Sequence, residues 1–281
     1  MGEGKQAREA MTRSAPRTPS LLMNDRPQMK NIYFASDLHL GAPYIADHRQ
    51  HEARVVAWLD SIKDKAQALY LLGDIFDYWF EYHTVVPRGH VRFLAKVAEL
   101  ADRGVDVHFF TGNHDVWMFD YLPAELGVTV HHGDLRIEAA GKQFLLGHGD
   151  DLGYDRWYHI MMWCFHNRFL QACYRWLHPD LAGLIATTWS HRSRMGHYAE
   201  ERKRGRGLQD LESETQVRYA RKIVANGDPA DFIIFGHRHE VIDCEVGGRG
   251  QRLLVIGDWI RHFTYAVFDG RDVKILKYGQ D

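Results

Sequence analysis

Six short apolar runs recur along the 281-residue chain, and each stops at a polar residue that can bind a cation: "NIYFASD" (31–37), "ALYLLGD" (68–74), "VDVHFFTGN" (105–113), "QFLLGHGD" (143–150), "DFIIFGHRH" (231–239) and "RLLVIGD" (252–258). Each has the length and the flanking turn residues of a buried strand. Between the first three runs the apolar period changes from strand-like to helical. Val55, Val56, Leu59 and Ile62 share one face of a helix over 48–65, and Phe93, Leu94, Val97 and Leu100 share one face of a helix over 88–103. Gly104 then stands where a helix-ending glycine is expected. Alternating strands and helices predict a layered α/β domain.

The endings of these runs constrain the chemistry. The first gives Asp37 and His39, the second Asp74, the third Asn113, His114 and Asp115, the fourth His148, and the fifth His237 and His239. In open α/β sheets, ligands gather beyond the carboxyl ends of the strands. Five such ends bring Asp37, His39, Asp74, Asn113, His148, His237 and His239 toward one place. Carboxylate, carboxamide oxygen and imidazole without thiolate suit Mn²⁺, Fe²⁺ or Zn²⁺. Seven ligands exceed the needs of one ion, so two ions sharing a carboxylate, with Asp74 as the bridge, fit better. Ions about 3.5–4 Å apart can clamp a phosphoryl oxygen and activate water for in-line attack. Taken singly, each motif has a blander reading: an Asp at a strand end commonly caps a helix, and a lone buried His is commonly a core residue. Five endings in this order weigh against coincidence.

Charge narrows the partners. Lys and Arg total 35 against 37 Asp and Glu, a net of −2, so no global field draws the chain to nucleic acid. The three cysteines, Cys164, Cys173 and Cys244, form no C-x-x-C. If one helix carries Cys164 and Cys173, its rise sets them roughly 13 Å apart, too far for a disulfide. Sparse, unpaired thiols predict a cytoplasmic protein. No apolar stretch reaches membrane-spanning length. Residues 1–30 are polar and aperiodic and read as a disordered leader, with Met23 and Met29 as alternative starts. Residues 31–281 form the main domain.

Residues 153–226 read as a helical insertion that caps this domain. The segment holds Trp157, Trp163, Trp176 and Trp189, the all-apolar "IMMWCF" (160–165), and a basic group that includes Arg192, Arg194, Arg202 and Lys203. The stripe Phe165, Phe169, Cys173 and Trp176 fits either plain core or a surface for acyl chains.

The ordered set D-x-H, G-D, G-N-H-D, G-H and G-H-x-H resembles the calcineurin-like metallophosphoesterases over residues 31–269. The resemblance implies a β-sandwich flanked by helices, with two metal ions at its edge. It implies that Asp37, His39, Asp74 and His239 hold one ion, and that Asp74, Asn113, His148 and His237 hold the other. His114 would touch the scissile phosphate or protonate the leaving oxygen, and Asp115 would hold the His114 ring. "GDIFDYWF" (73–80), "LLGHGDDLGYD" (145–155) and the insertion further resemble the UDP-2,3-diacylglucosamine diphosphatases of lipid A synthesis. These cleave the pyrophosphate of a nucleotide-linked glycolipid to UMP and a diacylglucosamine 1-phosphate at the inner face of the cytoplasmic membrane. That implies Mn²⁺, an acyl-sheltering cap in peripheral contact with the membrane, and Asn113, His114, Asp155, Arg192 and Arg194 around the substrate. Many members of that group carry arginine where this chain has His114, so a soluble-substrate phosphodiesterase or nucleotidase is the alternative. A scaffold without catalysis is disfavoured, because every ligand position is filled. Asp77 reads as a helix cap.

Overall fold

A computed structural model describes residues 30–152, 156–185, 188 and 210–280. Residues 1–29 of the expected leader and the expected substrate residues Asp155, Arg192 and Arg194 lie outside the described residues. The chain begins β1 (Asn31–Ala35), α1 (His48–Ile62), β2 (Ala66–Leu72), α2 (Val91–Asp102), β3 (Asp106–Phe110). It continues through α3 (Tyr121–Leu126), β4 (Thr129–His131), β5 (Leu135–Ala139) and β6 (Lys142–Leu146). After α4 (Arg156–His166), α5 (Arg168–Arg175) and α6 (Thr215–Ala225) come β7 (Phe232–Phe235), β8 (Val241–Glu245), β9 (Arg252–Ile256), β10 (Thr264–Phe268) and β11 (Val273–Lys277).

Two sheets result. One has the order β11-β10-β1-β2-β3-β4 and the other β5-β6-β7-β9-β8. In β1, Tyr33 and Ala35 join the cluster beneath α1 and α2, while Ile32 and Phe34 join the cluster between the sheets. In β2, Leu69 and Leu71 face the helices, and Ala68, Tyr70 and Leu72 face the other sheet. Both faces of these strands are covered, which is why the runs read as continuously apolar rather than alternating. Phe34 lies in the middle of the sandwich, with its ring centroid 5.5 Å from Tyr70 and 6.2 Å from Phe144.

The helices are fixed by specific ends. Asp47 caps α1 by accepting from Gln50 N at 2.9 Å. His90, at the start of α2, makes no such bond. Buried Glu52 of α1 does it instead, with Oε1 accepting from Arg92 N and Phe93 N at 3.0 and 3.1 Å. One helix thereby caps the next, and the two pack as a unit on the first sheet.

α6 lies at the C-terminal end of the expected insertion. Val217 and Ala220 of α6 are buried against Ile233, Phe235 and Val255, so this helix belongs to the outer face of the second sheet. Cys164 and Cys173 do not share a helix. Asn167 separates α4 from α5 and caps the latter by accepting from Phe169 N and Leu170 N. The cysteines are free thiols.

Truncating Phe34 to Ala removes the ring that joins the two sheets. The expected loss is about 3–5 kcal/mol of unfolding free energy. Denaturant unfolding measures it, and a loss below about 1 kcal/mol would mean that the inter-sheet core closes over the gap.

Candidate metal centre

The two sheets align their parallel strands so that the chemistry collects at one edge. β1, β2 and β3 run parallel in the first sheet, and β6, β7 and β9 run parallel in the second. Asp37 and His39 follow β1, Asp74 follows β2, Asn113 and His114 follow β3, His148 follows β6, and His237 and His239 follow β7. The backbone there is strained. Asp37, His39, Asp74, His237 and His239 all have positive φ, between 44° and 69°. This region costs an L residue about 1–2 kcal/mol. Surrounding hydrogen bonds hold it: Asp37 N donates to Gly73 O at 3.1 Å, His39 N to Asp74 O at 3.0 Å, and His237 N to Asp37 Oδ2 at 2.9 Å. Strain concentrated in this way is characteristic of functional sites.

Three groups of ligand atoms converge among the described residues: Asp37, His39 and His239; Asp74, His148 and His237; and His39, Asp77 and His114. In the first, His239 Nε2 lies 3.4 Å and His39 Nε2 3.7 Å from Asp37 Oδ1, and the two Nε2 atoms are 3.3 Å apart. In the second, Asp74, His148 and His237 converge, with His148 Nε2 3.4 Å from Asp74 Oδ2. Asp74 Oδ2 is also 3.6 Å from His39 Nε2, so one oxygen faces both clusters. Asp37 Oδ1, Asn113 Oδ1 and His148 Nε2 are buried and have no hydrogen-bond partner. Buried polar atoms are normally satisfied. A carboxylate oxygen, an amide oxygen and an imidazole nitrogen left in this condition are donors that fit divalent cations.

The far side of each imidazole agrees. His148 Nδ1 donates to Leu72 O at 2.8 Å, which frees the Nε2 lone pair. His39 Nδ1 faces Asp77 Oδ1 at 3.3 Å, and His239 Nδ1 faces Asp258 Oδ2 at 3.2 Å. Electrostatics follow from crowding. Burial pushes Asp37 upward, and the pull of His239 and His148 does not cancel it. Burial also acts on Asp74, but His148, His114 and His39 outweigh it and hold the carboxyl well below the usual range. Burial opposes charge on His148, yet Asp74 and Asp37 raise it well above an ordinary histidine. Burial and the charge of His148 push His237 well below.

His114 lies beside the first two groups. Its N–H donates to Asp74 Oδ1 at 2.9 Å, its Nδ1 lies 3.1 Å from Asp77 O, and its Nε2 is 4.0 Å from Asp74 Oδ2. Asp115 does not hold the His114 ring as expected. Its buried carboxylate accepts from Gly112 N, Ile75 N, Phe76 N and Asp74 N at 2.8, 2.7, 3.2 and 3.3 Å. It therefore ties the Asp74 loop to the Asn113 loop, and burial with the charge of Asp74 pushes its carboxyl up to about 7. The ring is held by Asp77, whose reading as a helix cap is corrected: no helix follows it, and it serves both His39 and His114. Its signal was the third position after Asp74. Asp258 was also missed as a partner of His239, although "LLVIGD" repeats the ending of "LYLLGD".

Glycines make room for this. A Cβ on Gly112 would collide with Asp74 Oδ1 and come within 2.9 Å of His148 Nε2, and one on Gly73 would sit 2.6 Å from His148 Nδ1. The insertion docks on the same loops. Trp117 Nε1 donates to Phe165 O at 3.0 Å and its ring stacks on Tyr174 at 5.2 Å. Tyr78 OH lies 3.4 Å from Tyr174 OH. Tyr78 and Trp117 each stand four residues after an expected ligand, Asp74 and Asn113.

Comparison with known proteins agrees with this geometry. The calcineurin-like phosphoesterase model matches residues 30–241. UDP-2,3-diacylglucosamine hydrolase of Porphyromonas gingivalis is 45% identical over 249 residues, 85% of this chain and 94% of that protein. The protein of the same name from Neisseria meningitidis is 31% identical over 247 residues, 85% of this chain and 92% of the relative.

Gly112→Ala tests the packing of the two clusters. Displacement of Asp74 and His148 is expected to lower bound metal below that of the parent protein and to cost at least about 100-fold in turnover, a 1 Å misplacement being worth that much. Metal analysis and far-UV circular dichroism check it together; a variant with full metal content would show that the loop yields instead.

Proposed function

Because the chain belongs to the calcineurin-like phosphoesterase family, we propose that it is a dinuclear-metal hydrolase that cleaves the pyrophosphate of UDP-2,3-diacylglucosamine to UMP and 2,3-diacylglucosamine 1-phosphate. Asp37, His39, Asp74 and His239 would hold one ion, and Asp74, Asn113, His148 and His237 the other. The unpartnered buried Asp37 Oδ1, Asn113 Oδ1 and His148 Nε2 support this division. Oxygen and nitrogen donors without thiolate suit Mn²⁺, with Fe²⁺ and Zn²⁺ also compatible. When bound, the ions supply Lewis acidity toward phosphoryl oxygens and lower the pKa of water.

The protein's own groups do the remaining work. His114 Nδ1–H donates to the Asp77 carbonyl, which fixes the ring and leaves Nε2 toward the substrate. In its cationic form Nε2–H contacts the phosphoryl group and passes its proton to the departing oxygen. Asp77 keeps His39 and His114 in register. Asp155, Arg192 and Arg194 are proposed as substrate contacts, the arginines by bidentate bonding to phosphate.

The observation that carries the substrate is the apolar surface of the insertion. Trp163 is 64% exposed, Phe169 74%, Trp176 91% and Leu184 63%. A plain core would bury these side chains. Large exposed apolar groups rimmed by polar residues mark a binding or membrane surface. Trp163 stands on α4, Phe169 on α5 and Trp176 directly after it; both helices dock against the loops of Asp74 and Asn113, so acyl chains held there bring the pyrophosphate to the metal centre. No helix among the described residues is long and apolar enough to cross a membrane. We place the protein at the cytoplasmic face of the inner membrane, in peripheral contact through this surface.

Hydrolysis with Mn²⁺ compares UDP-2,3-diacylglucosamine, soluble UDP-sugars and an aryl phosphodiester. The expected outcome is strong preference for the two-chain lipid with release of UMP; equal or faster cleavage of the soluble esters overturns the substrate and favours a phosphodiesterase or nucleotidase. His114→Ala is expected to keep both metals and to lose 10²–10⁴-fold in kcat, read by steady-state kinetics beside metal analysis. Wild-type turnover in that variant excludes the proton-transfer role.

A further inference from the structure

We propose that Asp258 is a positioning residue that holds the imidazole of His239 by its Nδ1 and turns Nε2 toward Asp37 and His39 in the first cluster. The inference rests on the dinuclear reading above. Asp258 is fully buried at the end of β9. Its two oxygens divide their tasks. Oδ1 accepts from Ile260 N, Arg261 N and His262 N at 3.2, 2.8 and 2.9 Å, and lies 3.4 Å from His262 Nδ1. Oδ2 faces His239 Nδ1 at 3.2 Å. Capping the turn needs only Oδ1. A buried carboxylate is costly unless its charge is matched, and the second oxygen is matched by an imidazole N–H.

The carboxylate is well placed for this. Trp259 N donates to Asp37 O at 3.1 Å, and Thr264 N donates to Asp258 O at 3.3 Å. Trp259 is buried, with its ring 4.9 Å from Trp58. The turn that carries Asp258 is thus stitched to the strand end that carries Asp37, the partner of His239 in the first cluster. An acceptor at Nδ1 favours the proton of neutral His239 there, which suits Nε2, 3.4 Å from Asp37 Oδ1 and 3.3 Å from His39 Nε2, to serve as the ligand atom. The same logic links His39 to Asp77, whereas His148 is backed by the Leu72 carbonyl.

Asp258→Asn separates positioning from turn capping. The amide oxygen still caps the turn, but its NH₂ group meets His239 Nδ1 and favours the proton on Nε2. Metal-free D258N is expected to unfold at the wild-type temperature. Competition with a chromophoric chelator is expected to show one of two Mn²⁺ equivalents weakened 10–100-fold, the other unchanged. Nitrogen NMR of the metal-free protein is expected to move the His239 proton from Nδ1 to Nε2. Wild-type Mn²⁺ affinity and an unmoved proton in D258N would overturn the positioning role alone. A wild-type protein that takes up no Mn²⁺ would overturn the dinuclear reading and this inference with it.

Discussion

The Asp74 carboxylate is the interaction on which the rest of the site depends. Oδ1 accepts the His114 N–H, and Oδ2 lies within 3.6 Å of His39 and 3.4 Å of His148. His39 belongs to the first sheet's strand end and His148 to the second's. One side chain therefore spans the seam of the sandwich. The strand that carries it is central in its sheet, flanked by β1 and β3, and Asp115 secures its loop through backbone amides. A carboxylate placed between several imidazoles is stabilised as an anion, and this is what a site for two cations requires.

The cost of this arrangement is visible in the backbone. Five of the seven expected ligands adopt left-handed φ without being glycine. Glycine is used instead beside them, at Gly73 and Gly112, where a Cβ would strike the ligands themselves. Side-chain chemistry claims the strained positions, and the adjacent positions yield the space. The hydrophobic sandwich beneath supplies the stability that sustains such strain, because its strands are covered on both faces.

A few aromatic contacts tie α4 and α5 to the loops of the candidate site. Tyr78 and Trp117 extend the loops of Asp74 and Asn113, and both meet Tyr174 of α5. Phe80 joins the same group, its ring 4.7 Å from Tyr174. The exposed apolar face of these helices is therefore tied to the same framework that positions the candidate metal ligands.

Residue order alone determined the α/β layering, the helical faces of α1 and α2, and the choice of the seven candidate ligands. Each of these is local: an apolar run, a helical period, or a motif written within a few residues. β4, β5, β8, β10 and β11 escaped notice, as did the short α3. β5 alternates apolar and polar residues over only five positions and β8 over only four, Ile242–Glu245, too short a signal to stand out. The contacts of Asp77, Asp115 and Asp258 were decided by tertiary structure. A carboxylate's partner depends on which loops meet, and here loops 41 residues apart (Asp74 and Asp115) and 19 apart (His239 and Asp258) come into contact. The exposure of Phe169 and Trp176 was likewise decided by packing. Helical spacing gives the same stripe whether it faces a core or a lipid, and only the absence of a covering layer over these described residues separates the two.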